Sequence, residues 1–198
     1  MPLRGWREFR WVVIGVVGIC GGWNGVASPG GNIALNAGFE EPGPAPDEYL
    51  PAEWGFYTTS ETAVSTVSNV CRSGARSLKV TSQGVCDAHM GLVQELPVTP
   101  GKTYTFTAYV MNDRMERLDG TFEGSLGIEW VDGHGNEIAR DDSPAWDEGL
   151  SRLRWTVVSV TAEAPPSATR AKFVLRALEK EEPRGGACYI DDVSIVER

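Results

Sequence analysis

The sequence predicts an all-β fold, a jelly-roll β-sandwich of about eight antiparallel strands. Short segments in which apolar and polar residues alternate with period two run along most of the chain, and clusters of Gly, Pro, Asn and Asp separate them. No long segment holds a helical period with caps at both ends. The nearest, "MNDRMERLDG", reads as a loop or one short turn.

Before the first strand, "MPLRGWREFRWVVIGVVGICGGWNGVASP" has a basic start at Arg4, Arg7 and Arg10, an apolar run from Trp11 to Cys20, and small residues ending at Ala27. That is the layout of a secretory signal peptide, residues 1–27. The apolar run is short and Gly-rich for a membrane span, so the mature chain is expected to be exported, into the medium or the cell envelope, with no membrane segment. Residues 28–31 form a small-residue linker, and one domain, 32–198, follows. The leader holds three Arg and one Glu, so its removal takes the net charge from −9 to −11. Such an acidic chain repels phosphate backbones and anionic membranes, which disfavours nucleic acid as a partner.

In order, the strand segments are "VSTVSNV", "RSLKVTS", "MGLVQELPV", "KTYTFTAYVM", "GSLGIEWVD", "RWTVVSVTA", "AKFVLRAL" and "CYIDDVSIV". "TPGK" and "VDGHGN" carry the residue types that tight turns need. Alternation sorts the faces. Tyr104, Phe106, Ala108 and Val110 form one apolar set, Leu126, Ile128 and Trp130 a second, and Ala171, Phe173, Leu175 and Ala177 a third. The opposite sides mix Tyr109, Glu129 and Arg176, a composition that suits a ligand-facing sheet and a solvated one equally.

Outside the leader the cysteines are Cys71, Cys86 and Cys188. An exported protein can keep a disulfide. Cys71 and Cys86 flank "SLKVTS" and could meet across a hairpin, while Cys188 competes for either. No spacing matches a zinc or redox motif.

The last strand raises a question of its own. Asp191 and Asp192 are adjacent, so one of them should face inward or lie along an edge, where an unpaired carboxylate is costly. A cation, a basic side chain or a cluster of backbone N–H groups must compensate it. Among the tryptophans, Trp54, Trp130 and Trp155 read as core. Trp146 lies in the acidic loop "DDSPAWDEG", where an exposed sugar platform and a ring folded back over the sandwich edge are equally open readings.

The ordered set "NIALNAGFE", "SGARSLKV", "QELPVTPGKTYTFTAYV", "IEWVDGHGNEI", "WTVVSVTAEAPPSAT" and "CYIDDVSIVER" closely resembles the carbohydrate-binding modules of the family 4/9/22 group, which have a galactose-binding-domain-like jelly roll. The resemblance covers nearly the whole mature chain. It implies a non-catalytic protein that binds a polysaccharide or oligosaccharide through aromatic side chains with polar neighbours. The residues it nominates are Trp146 and Tyr109, with Glu129, Arg176 and Gln94 beside them. It further implies a structural calcium held by Glu40 with Asp191, Asp192 or both, against the alternative that an Asp pairs with Lys79 or an Arg and no metal is bound.

Enzyme readings find little support. His89 and His134 stand alone, without HxH or HExxH spacing, and no GxSxG elbow is present. Glu123, Glu129 and Asp132 could be imagined as a glycosidase pair, but no spacing selects two of them. A structural or adhesive cell-envelope protein without a sugar site is the alternative from a different class.

Overall fold

The computed structural model describes residues 30–44, 50–59, 64–82, 89–118, 122–179 and 185–198. The predicted leader and Cys86 lie outside them. Ten strands make two five-stranded antiparallel sheets, and no helix occurs among the described residues. In chain order they are β1 (Gly55–Thr58), β2 (Val64–Ser68), β3 (Ser77–Ser82), β4 (His89–Pro97), β5 (Thr103–Asn112), β6 (Phe122–Val131), β7 (Glu137–Asp142), β8 (Thr156–Glu163), β9 (Arg170–Glu179) and β10 (Gly186–Glu197). Sheet I runs β1-β4-β9-β6-β7, and sheet II runs β2-β3-β10-β5-β8. The protein is an all-β jelly-roll sandwich.

All eight alternating segments form strands. Two more, β1 and β7, are the edges of sheet I. "GFYT" is too short to show a period, and "EIARDD" is polar on both sides, so neither carried a strand signal.

The inward faces are those the alternation marks. Tyr104, Phe106, Ala108 and Val110 meet Leu126, Ile128, Trp130 and Phe173 between the sheets, all fully buried. Phe106 packs edge-on against Phe173 at 5.5 Å and Tyr104 against Trp130 at 5.9 Å, the offset geometry that aromatic quadrupoles favour. Trp54 and Trp130 are core as expected, whereas Trp155 is only half-buried.

The N-terminal segment is fastened to the last strand. Ile33 N–H donates to the Ile195 carbonyl at 2.8 Å, and Val193 N–H to the Ala37 carbonyl at 2.8 Å. Gln94 completes the attachment, and here the structure corrects its assignment to the sugar face. It shares parity with Met90 and Leu92, points inward, and is only 3% exposed. Its amide accepts from Leu35 N–H at 2.8 Å and donates to the carbonyls of Leu35 and Glu53, both at 3.1 Å. Buried backbone groups of a non-strand segment need such partners, and Gln94 supplies them.

Candidate functional site

The outer face of sheet I brings polar side chains together over a floor of glycines. The register sets Tyr57, Gly91, Arg176 and Ser125 side by side across four strands. A Cβ on Gly91 would stand 2.6 Å from the Tyr57 ring, so the ring lies on bare backbone there. A Cβ on Gly127 would stand 2.8 Å from Arg176 Nη2 and 2.9 Å from Asp142 Oδ1, so the guanidinium rests on the second glycine. Glycine inside a strand marks a close approach of this kind.

Arg176 is the hub. Its Nη1 donates to Asp142 Oδ1 at 2.8 Å and its Nη2 to Glu129 Oε1 at 3.0 Å, and its third neighbour is the Tyr57 hydroxyl. Glu129 also pairs with Arg140 at 3.1 Å, and Arg140 forks onto Glu137 with two bonds of 3.0 Å. Burial works against the Arg176 charge, but Asp142 and Tyr57 outweigh it and raise its pKa. Burial also raises the Tyr57 hydroxyl above its ordinary value, with Arg176 pulling the other way. The phenol therefore stays neutral and the guanidinium charged at any physiological pH. A half-buried ring with fixed donors and acceptors beside it, on a smooth floor, can take a flat polyhydroxylated ligand.

Of the five nominated sugar residues, the structure unites Glu129 and Arg176. Tyr57, Arg140 and the two floor glycines escaped the sequence reading. Gly91 and Gly127 inside strand patterns were the available signal.

Tyr109 lies on the opposite outer face, because β5 belongs to sheet II. Its ring is covered by Arg72, whose guanidinium carbon stands 3.6 Å from the ring centroid. Trp146 is no exposed platform. It is 5% exposed and sits between the sheets. After β7 the chain keeps to the same track along β6: Trp146 and Gly124 exchange two backbone bonds of 2.8 Å, which turns the indole inward. Gly124 makes the room, since a Cβ there would stand 2.1 Å from the indole. The indole N–H lies near the Cys188 sulfur, with no ordinary acceptor. Burial pushes the Cys188 thiol up to about 12. Cys71 and Cys188 are free thiols, not bonded to each other.

The terminal acids occupy a second place, around the loop of residues 71–76. A register shift after Asp191 and a left-handed Asp192 (φ 47°) send the two side chains to different partners. Asp191, fully buried, accepts from Arg72 N–H at 2.7 Å, Ser73 N–H at 3.2 Å and Asp192 N–H at 2.7 Å. Burial raises its pKa, and those amides pull it back. Asp192 pairs with the Arg72 guanidinium at 2.5 Å and the Ser73 hydroxyl at 2.6 Å. Glu40 accepts from Ala75 N–H at 3.0 Å and Arg76 N–H at 3.2 Å. Gly74 is left-handed at φ 61°, and a Cβ there would stand 1.9 Å from Glu40 Oε1, so a side chain would displace the carboxylate.

Two of the three nominated metal ligands, Glu40 and Asp191, lie near Gly38. Glu40 Oε1 and Asp191 Oδ1 lie 3.9 and 4.0 Å from the point where a Cβ on Gly38 would be. Both keep lone-pair capacity beyond the amides they accept. Asp192 is turned away to Arg72, so it leaves the set. Among the described residues, no three His, Cys, Asp or Glu side chains gather to hold a metal by themselves.

A family model described as a carbohydrate binding domain, of the CBM 4/9 type, matches residues 31–178. This chain belongs to that family. The solved structures similar to this domain include the family-22 xylan-binding domain CBM22-1 of Paenibacillus barcinonensis Xyn10C, at 16% identity and TM-score 0.57, covering 86% of this chain and 97% of that one. TmCBM61, solved with β-1,4-galactotriose, is similar at 16% identity and TM-score 0.51, covering 84% and 99%. The enzymatically active domain of tailspike protein 4 from bacteriophage CBA120 reaches TM-score 0.62 at 16% identity, over 84% of this chain but only 21% of that one. At such identities the likeness is one of fold. No curated protein matches the chain.

Proposed function

We propose that this carbohydrate-binding domain is an exported, non-catalytic module that holds an oligo- or polysaccharide on the outer face of sheet I. The observation that carries the reading is the Tyr57–Arg176–Glu129 array laid over Gly91 and Gly127. Arg176 and Arg140 bind hydroxyl oxygens, Glu129 and Asp142 accept hydroxyl protons, and the Tyr57 ring packs against the C–H face of a sugar. A calcium ion held by Glu40 and Asp191 neutralises acids brought together from the two ends of the domain.

A broad glycan screen with and without calcium tests this reading. The expected result is binding to one class of glycan that Arg176→Ala weakens about tenfold to a hundredfold and Tyr109→Ala leaves intact. No binding to any glycan at high protein concentration, or turnover of one, would sink it. For the metal, chelation is expected to lower the melting midpoint by about 5 °C or more. An unchanged midpoint removes calcium and leaves the loop amides and Arg72 as the whole compensation.

A further inference from the structure

We propose that the groove between β8 and the segment after β7 continues the sugar site, so that the domain takes a polysaccharide chain long enough to cross sheet I and pass over that edge. This inference rests on the sugar reading of sheet I and adds to it the length of the ligand and a second set of contacts. The row that holds Tyr57, Gly91, Arg176 and Ser125 does not stop at β6. Just after β7, Ser143 N–H donates to the Leu126 carbonyl at 2.8 Å, and Trp146 and Gly124 exchange their two backbone bonds. Those contacts bracket Ser125, which puts Pro144 and Ala145 beside it as the last members of the row. Four steps of about 4.8 Å between strands make the row about 19 Å long, perpendicular to the strands. Pro144 and Ala145 are exposed and short, so no long side chain walls the row off there.

The same two residues line an open groove of about 560 Å³, within the range of roughly 300–1,000 Å³ that ligand sites occupy. Across it stands the first half of β8, residues 156–159, the edge strand of sheet II, which lies against β7. Leu150 and Val158 line the groove with apolar surface, and Thr156 and Ser159 add hydroxyls. Asp147 supplies a carboxylate: its Oδ1 accepts from Gly149 N–H at 2.8 Å, and among the described residues nothing donates to its Oδ2. An edge strand also presents backbone N–H and C=O groups that no neighbouring strand pairs. Continuity names the occupant. A ligand lying along the row reaches Ala145 and meets the groove next, and a sugar chain has the C–H faces and hydroxyls that this mixed lining suits.

Calorimetric titration with a size series from disaccharide to octasaccharide, prepared from the glycan that the screen finds, tests the extension. Affinity is expected to rise about tenfold between the members that cover the row and those that reach the groove, the worth of one or two further hydrogen bonds. Asp147→Ala and Thr156→Leu, both at exposed positions outside the row, should remove that gain and leave the shortest binding member unaffected. Arg176→Ala should weaken every member. Hydrogen exchange at the β8 amides that do not bond to β5 should slow only with the long members. No gain with length, or a gain that both groove variants retain, overturns the extension and leaves the sheet I site standing. Indifference of every member to Arg176→Ala, or a screen without a hit, overturns the sheet I site and the extension with it.

Discussion

The two outer sheet faces of this sandwich draw on the same residue types and use them differently. On sheet II the tyrosines are already covered: Arg72 lies over Tyr109, and Lys79 stands 5.9 Å from the Tyr189 ring centroid. The Tyr189 hydroxyl donates to Asp113 at 2.6 Å, and Lys79 pairs with Asp113 and Glu116 at 3.5 and 3.2 Å. Those contacts bind loops to the sheet. On sheet I the cation sits at the tyrosine's hydroxyl, and both side chains lie on glycines. A cation spent on clamping a loop stabilises the fold. A cation held flat among carboxylates on the outer face of sheet I fastens no loop, and it is the group that the proposed sugar site uses.

The largest expected effect comes from between the faces. Trp146→Ala should destabilise the domain by about 3–5 kcal/mol, because it empties a packed site over Gly124 beside Cys188. Denaturant unfolding measures it. A loss of sugar affinity with unchanged stability would instead return Trp146 to the surface role its acidic loop suggests.

Next is the contrast between the faces themselves. Arg176→Ala should cost sugar affinity about tenfold to a hundredfold, the range for hydrogen bonds to a charged group, whereas Tyr109→Ala should change it by less than about twofold. Calorimetric titration of both variants with the glycan found in the screen sharpens the assignment. Equal losses would mean that the ligand reaches sheet II.

A smaller effect separates the faces by pH. Burial pushes the Asp113 carboxyl up, but the Tyr189 hydroxyl, the amides of Glu116 and Met115 and the Lys79 ammonium together outweigh it and hold it down at about 2. A depressed carboxyl contributes stability above its unfolded value and loses it as pH falls through the folded one. Asp113 should therefore contribute about 2 kcal/mol at neutral pH, lost between about pH 4 and 2. Asp191 works in the opposite sense, because burial raises it. Tyr189→Phe should shrink the acid-sensitive portion, and melting curves across that range read it. An unchanged acid limb would mean that Asp113 is not the group responsible.

The strands with clean alternation were legible because each buries one face and wets the other. β1 and β7 were not, since an edge strand with polar groups on both sides has no contrast to display. Half of the site is carried on those two strands: Tyr57 on one, Arg140 and Asp142 on the other. Parity alone set Glu129 and Arg176 outward. Tyr109 was misplaced by the same rule, which says that a residue faces outward but not from which sheet. Gln94 followed its parity inward, where the N-terminal segment needed its amide.

The sequence by itself determined the sandwich and its core faces, because period-two burial is a local rule. Only the tertiary structure decided which outward faces share a sheet, that Trp146 turns in over Gly124, and that Asp192 turns away to Arg72. Those outcomes depend on strand order, register and a single bulge, which arise from packing between segments far apart in the chain.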